Sequence, residues 1–143
     1  MTRPVNLLDV PFVPSDITHL GDLSLGTPNK IVDMGSGDGR VLAKFAELFP
    51  DADLTGYELH QDRATQSAND IPTANIIKGN MWDADLSEAD LVYLYWATNL
   101  MEGFYEVFWP QLPSGALVVS YMYEIEGLTP IQHANYFFVY QKP

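Results

Sequence analysis

From Lys30 onward, short apolar runs alternate with segments whose apolar residues recur every three or four positions. Lys30–Met34 is apolar enough for a strand buried on both faces. Val41, Leu42, Phe45, Leu48 and Phe49 fall on one helical face, which predicts a helix over 38–49 that Pro50 stops. The same pattern predicts strands over 53–58, 74–78, 90–96 and 116–123, with helices over 61–68 and 100–108. Asn99 is placed to cap the last helix, with Glu102 three residues on, and Pro110 and Pro113-Ser114-Gly115 break it. Ahead of the first strand, 10–15 carries two prolines. Ser15 is placed to cap a helix beginning near Asp16, with Ile17, Leu20 and Leu23 on one face. The chain closes with extended segments at 130–133 and 136–140, and Gly127 and Pro130 leave no room for a helix before them.

Alternating strands and helices predict an α/β fold, a mostly parallel twisted sheet with helices on both faces. Two final strands without a helix between them should pair antiparallel at one edge. At 143 residues the chain is read as one domain, a short extension over 1–29 followed by a core over 30–143. Ligands of such sheets bind at the carboxyl ends of the strands, near the point where strand order reverses.

Composition narrows the chemistry. There is no cysteine, which excludes disulfides, thiolate zinc sites and cysteine nucleophiles. No apolar run approaches the roughly 18 residues that span a bilayer, and 1–6 lacks the blocks of a secretory signal, so a cytoplasmic protein without a membrane anchor is expected. The net charge of −12 repels phosphate backbones and disfavours nucleic acid as a partner. It favours basic protein segments or amines, although acidity also serves solubility alone. His19, His60 and His133 lack metal-ligand spacing and read as solvated or structural. The acidic run 83–88 lacks the mid-loop glycine and terminal glutamate of a calcium loop, so no metal is expected.

The most telling segment is Ile31-Val32-Asp33-Met34-Gly35-Ser36-Gly37-Asp38-Gly39-Arg40. A strand enters a loop with glycine at three alternate positions, and a helix follows. Glycine lets backbone amides approach a ligand closely, and the helix start favours an anionic group, so a nucleotide-like cofactor is implied. The sixth position of a G-x-G-x-x-G fingerprint is Arg40, and no Gly-Lys-Ser/Thr follows, so neither a dinucleotide loop nor a P-loop fits.

An acidic residue, one spacer and Gly-x-Gly-x-Gly, with Glu58 ending the second strand, resembles the class I S-adenosylmethionine-dependent methyltransferases, whose fold is Rossmann-like. That resemblance implies S-adenosyl-L-methionine as cofactor. Asp33 would meet its ammonium, and the amides of Gly35, Ser36, Gly37, Asp38 and Gly39 its carboxylate. Glu58 would accept from the ribose hydroxyls, and Asn80 from the adenine amine. Leu59 and Met81 would flank the purine, with Trp82 beside them. For Asn80 a turn-forming role is the alternative. The segments Val10-Pro11-Phe12-Val13-Pro14-Ser15, Gly56-Tyr57-Glu58-Leu59 and Met81-Trp82-Asp83-Ala84-Asp85-Leu86-Ser87 extend the likeness. They are similar to the family of small archaeal protein-lysine methyltransferases and their mitochondrial relatives, which modify the ATP synthase c-subunit and the adenine nucleotide carrier. Where that family carries a proline after strand four and Arg-Phe-Pro after strand five, this chain has Trp96-Ala97-Thr98-Asn99 and Tyr121-Met122-Tyr123.

The resemblance implies methyl transfer to a deprotonated lysine amine on a protein with a basic segment. Tyr95, Trp96, Tyr121 and Tyr123 fall at the ends of strands four and five, where an aromatic acceptor slot would lie, and Phe12 and Trp82 could complete it. Alternate members of these strands must instead pack beneath helices. A small-molecule acceptor, or a non-catalytic S-adenosylmethionine-binding module, are the competing readings.

Overall fold

A computed structural model describes residues 16–35, 39–96 and 98–143. Seven strands form one sheet: β1 (Lys30–Met34), β2 (Asp53–Glu58), β3 (Asn75–Lys78), β4 (Leu91–Leu94), β5 (Leu117–Tyr121), β6 (Gln132–Ala134) and β7 (Phe137–Gln141), in the spatial order β3-β2-β1-β4-β5-β7-β6. The first five pair in parallel, and β7 runs antiparallel between β5 and β6. Helices α1 (Arg40–Leu48), α2 (Gln61–Asp70) and α3 (Thr98–Val107) connect the parallel strands. The expected sheet, with its antiparallel edge and no helix after strand five, is the one observed.

Two apolar layers sandwich the sheet because successive side chains of a strand point to opposite faces. Leu91 and Tyr93 of β4 join α1 residues Val41, Leu42 and Phe45 in one layer, whereas Val92 and Leu94 join α3 residues Leu100, Met101 and Phe104, with Phe108 just after the helix, in the other. β7 divides likewise: Phe137 and Val139 face the α1 layer, Phe138 and Tyr140 the α3 layer. With both faces of the central strands covered, a ligand can reach only the strand ends. Strand order reverses between β1 and β4, and the helices that follow these strands leave to opposite faces, so a crevice opens at their carboxyl ends.

Gly39, which precedes α1, has φ +89, and a Cβ there would lie 3.0 Å from Ile71 Cδ1 and 3.2 Å from the Ser67 backbone. Glycine is required twice over, by the left-handed backbone and by the close approach of the chain leaving α2.

The differences from the sequence reading are one missing helix and several element ends. In place of a helix from Asp16 there is a single 3-10 turn, Leu20–Asp22. The Asp16 carboxylate accepts from the Thr18 N–H at 3.1 Å and hydroxyl at 2.6 Å, a local turn that competes with helical bonding. Ser15, its expected cap, lies outside the described residues. Helix α3 begins at Thr98, one residue ahead of the expected cap position Asn99. Strand β4 ends at Leu94 and β5 at Tyr121, which leaves Tyr95, Trp96 and Tyr123 on the segments that exit the sheet.

The β6–β7 hairpin turns on Asn135 and Tyr136, with φ of 51° and 69°, and Ala134 pairs with Phe137 across it. Positive φ at both central residues defines a type I′ turn, in which Asn-Gly is the favoured pair and a tyrosine second is strained. Tyr136→Gly is therefore expected to stabilise the fold by about 1 kcal/mol, read as a higher Tm in thermal unfolding. An unchanged or lower Tm would show that the tyrosine ring makes a compensating contact.

Candidate active site

Met34 ends β1, and the chain turns at Gly35, where φ is +107 and the N–H bonds back to the Asp33 carbonyl at 3.1 Å. Ser36, Gly37 and Asp38 lie outside the described residues. Asp33, one residue before the strand's end, is 2% exposed. In the adjacent strand Tyr57 pairs with Met34, so Glu58 comes level with Gly35 at the mouth of the crevice. Glu58 is also buried, and a buried carboxylate needs partners. Its Oε2 accepts from the His60 N–H at 2.9 Å, and Arg63 Nε lies 3.5 Å from Oε1. Arg63 stands in the first turn of α2, so the helix start that follows β2 holds the carboxylate in place.

On the far side of β2, β3 delivers Asn80 and a 3-10 turn, Met81–Asp83. The Asn80 side-chain oxygen accepts from the Trp82 N–H at 2.9 Å, the turn-forming role that its residue type suggested. Met81 reaches back to Gly35: a Cβ added there would be 3.8 Å from its sulfur. Leu59 and Met81 are both partly buried against the α3 layer. The turn thus brings Asn80 and Met81 to the same strand ends as Asp33, Gly35, Glu58 and Leu59.

Two of the aromatic candidates belong to the core. Trp82 stacks on Phe108 with centroids 5.8 Å apart and planes 12° from parallel, and Trp96 lies 5.2 Å from Trp82. Trp96 is 2% exposed and meets Phe104 and Phe108 edge-on. The two indoles fill the α3 layer below the crevice, because a helix packed on a sheet needs large side chains to fill the gap between them. The expectation that Trp96 and Trp82 line an acceptor slot is corrected: both are floor. Trp96 nonetheless acts on the site, since its Nε1–H donates to the Met34 carbonyl at 2.8 Å and ties the exit of β4 to the exit of β1. That role was not legible in the sequence, where Trp96 reads as one more aromatic at a strand end.

The tyrosines behave differently. Tyr95 meets Tyr121 edge-on at 4.9 Å and stacks on Tyr123 at 6.2 Å, and Tyr121 rests on Phe137 at 5.1 Å. Tyr121 is mostly covered, whereas Tyr95 and Tyr123 are half-buried. The trio stands at the carboxyl ends of β4 and β5, next to the crevice. Burial, with the neighbouring phenols of Tyr123 and Tyr121, holds the Tyr95 hydroxyl above the usual phenol range. At neutral pH it is an uncharged donor. Phe12 lies outside the described residues.

The histidines are spread out. His19 pairs with Asp22 at 3.0 Å, His60 precedes α2, and His133 stacks on Phe138 at 4.0 Å. Among the described residues no cluster of three or more His, Asp or Glu side chains could hold a metal ion, and no helix is long and apolar enough to cross a membrane.

Comparison with known proteins agrees with this geometry. A solved structure of an RNA methyltransferase from Salinibacter ruber in complex with S-adenosyl-L-homocysteine superposes with a TM-score of 0.79, covering 92% of this chain and 94% of that one at 22% identity. It shares the fold. A protein-lysine N-methyltransferase of Saccharolobus islandicus is 30% identical over 131 residues, 85% of this chain and 81% of that protein. An adenine nucleotide translocase lysine N-methyltransferase of Mus musculus is 29% identical over 139 residues. The match takes in 87% of this chain but 58% of the mouse protein's length. The model of the ANTKMT methyltransferase domain matches residues 33–132, from the acid before the glycine loop to the edge strands. The chain therefore belongs to the ANTKMT methyltransferase domain family and is an S-adenosylmethionine-dependent methyltransferase.

Proposed function

We propose that the chain methylates lysine side chains of proteins. The observation that carries this reading is the Tyr95–Tyr121–Tyr123 trio beside the crevice. Two relatives named as lysine methyltransferases, matched over most of this chain, support it.

The residues at the strand ends fit the parts of the cofactor. Glu58 would accept from the ribose hydroxyls, since an ionised carboxylate is an acceptor only and its place after Tyr57 puts it level with Gly35 at the crevice mouth. Asp33 would pair with the ammonium, and the loop amides between Gly35 and Gly39 with the carboxylate. Leu59 and Met81 would flank the adenine, and Asn80 would meet its amine through the lone pair that the Trp82 N–H leaves. Bound S-adenosylmethionine supplies an electrophilic methyl carbon on a positively charged sulfur.

The protein's own task is to align the acceptor amine with that carbon and to exclude water. The amine must be neutral to attack. A lysine stem laid over Tyr95 and Tyr123 leaves water, and desolvation disfavours the ammonium, lowering its pKa. Tyr95, held protonated by burial, places no negative charge nearby to restore it. The ring faces also favour the methylated cation that forms.

Methyl-labelled S-adenosylmethionine incubated with the enzyme and a cell extract should label protein, with acid hydrolysis yielding methyllysine. Label confined to RNA or to small metabolites would reject the lysine reading, and no label anywhere would mean a non-catalytic module. On a lysine peptide, kcat/KM should rise about tenfold per pH unit between pH 7 and 9, because one proton must leave an amine whose free pKa is near 10.4. Tyr95 titrates above that window, its pKa being raised, so Tyr95→Phe should leave the slope unchanged. A flat profile would mean that a side chain of the enzyme removes the proton instead. Glu58→Ala should weaken S-adenosylhomocysteine binding about 100-fold, as expected for two lost hydrogen bonds to a charged group. Full retention of the ligand-induced Tm shift would remove Glu58 from the ribose site.

A further inference from the structure

We propose that Met122 and Tyr136 form the surface on which a positively charged protein segment docks to present its lysine. The inference rests on the lysine reading above and adds the element that selects the substrate.

Met122 and Tyr136 are 43% and 67% exposed, two of the four large apolar side chains that stand open to solvent among the described residues. Both have positive φ, 72° and 69°, where asparagine or glycine would sit without strain. The Met122 N–H donates to the Tyr136 carbonyl at 2.7 Å, so the two residues are held as one corner. Strained, exposed and apolar residues gain nothing for the fold at these positions, which points to use elsewhere.

Their place in the fold says where. Tyr121 pairs with Phe137 across the antiparallel β5–β7 ladder, so Met122 and Tyr136 are the next residues out, at the carboxyl edge of the sheet. Ring contacts run inward from Phe137, the residue after Tyr136. Phe137 touches Tyr121 at 5.1 Å, Tyr121 touches Tyr95 at 4.9 Å, and Tyr95 stands beside the crevice. Met122 itself lies between Tyr121 and Tyr123 in the chain, so a segment seated on the corner is next to the trio.

Charge identifies the occupant. No lysine or arginine occurs between Lys78 and Lys142, the stretch that builds β4 through β7, while eight carboxylates do. Glu124 and Glu126, exposed, follow Met122 directly in the loop between β5 and β6. Six of the seven basic residues lie at or before Lys78, in the half that holds the glycine loop. With Glu124 and Glu126 exposed beside the corner and no lysine or arginine in that stretch, an anionic partner would meet repulsion there, and a basic segment with an apolar residue beside its lysine would meet both attraction and a place to bury that residue.

The test uses the full chain and two 20-residue unstructured peptides, each with one lysine flanked by leucines. One carries arginines and the other carries glutamates at the same positions; single-stranded RNA of equal length is the third probe. Binding to the S-adenosylhomocysteine-loaded enzyme is read by fluorescence anisotropy, and methyl transfer by kcat and KM. The arginine peptide should bind, more weakly as salt rises, and the glutamate peptide and the RNA should not. Asparagine adopts positive φ readily, so Met122→Asn with Tyr136→Asn keeps the corner's backbone, and the Tm and its shift on cofactor binding check that the fold is kept. The double variant should raise KM and Kd for the arginine peptide about tenfold, the loss falling on binding more than on turnover. Unchanged KM and Kd in a folded double variant, equal binding of the glutamate peptide or RNA, or no binding of the arginine peptide by the unaltered enzyme would each overturn the proposal. Methyllysine formed with unchanged KM in the double variant would sink this surface and leave the lysine reading standing.

Discussion

A single hydrogen bond, from the Trp96 indole to the Met34 carbonyl, sits where this structure has most to hold together. It joins the segment leaving β4 to the last residue of β1, the two strands between which the sheet reverses its order. At the opposite end of the same pair, the Asp90 carboxylate accepts from the N–H groups of Asn29 and Lys30 at 2.8 and 2.9 Å. The central strands are thereby fastened at both ends. The helices that follow them depart to opposite faces, and the crevice this opens has a rigid lower lip made of core. A buried carbonyl left without its donor costs about 1–3 kcal/mol, so the lip cannot loosen without a local penalty.

The sheet is divided in chemistry as well as topology. On the β1–β3 side, buried carboxylates and the glycine turn gather at the strand ends, and Arg63 secures Glu58. On the β4–β7 side the ends carry neutral phenols, exposed apolar side chains and a surplus of negative charge. The first half is suited to a zwitterionic, hydroxyl-rich ligand, and the second is where the proposed function would seat the acceptor amine. One fold places the two chemistries a strand apart because parallel strands all release their chains at the same edge.

Much of this was legible beforehand. The i, i+3, i+4 stripe of α1 and the fully apolar β1 and β4 could bury themselves only within a layered α/β sheet, and the missing helix after strand five forced an antiparallel edge. Asp33, Gly35, Glu58, Leu59, Asn80 and Met81 do converge at one mouth. The errors have a common cause, competition by local or tertiary contacts that a periodic pattern does not register. Asp16 turned the backbone into a carboxylate-bonded turn where a helix was expected, and α3 started ahead of Asn99. Trp82 and Trp96 pack into the α3 layer against Phe104 and Phe108, contacts between residues distant in sequence.

Residue type and spacing alone implied that the loop after β1 serves a nucleotide-like ligand and that neither the dinucleotide fingerprint nor the P-loop fits; the place among methyltransferases came from the resemblance those residues carry and from the family match. Those implications follow from constraints that act within a few residues: glycine where a Cβ cannot sit, proline where a helix must stop, an acid where a strand ends. Which aromatic rings face the crevice and which lie beneath it was decided only by tertiary structure. Tyr95 and Trp96 are neighbours in sequence, equally apolar and both just past a strand end. One is on the rim and the other is floor, because the Met34 carbonyl offers the indole N–H a buried partner and the phenol finds its own company at the edge. No pattern along the chain encodes that difference, since it depends on a carbonyl 62 residues away.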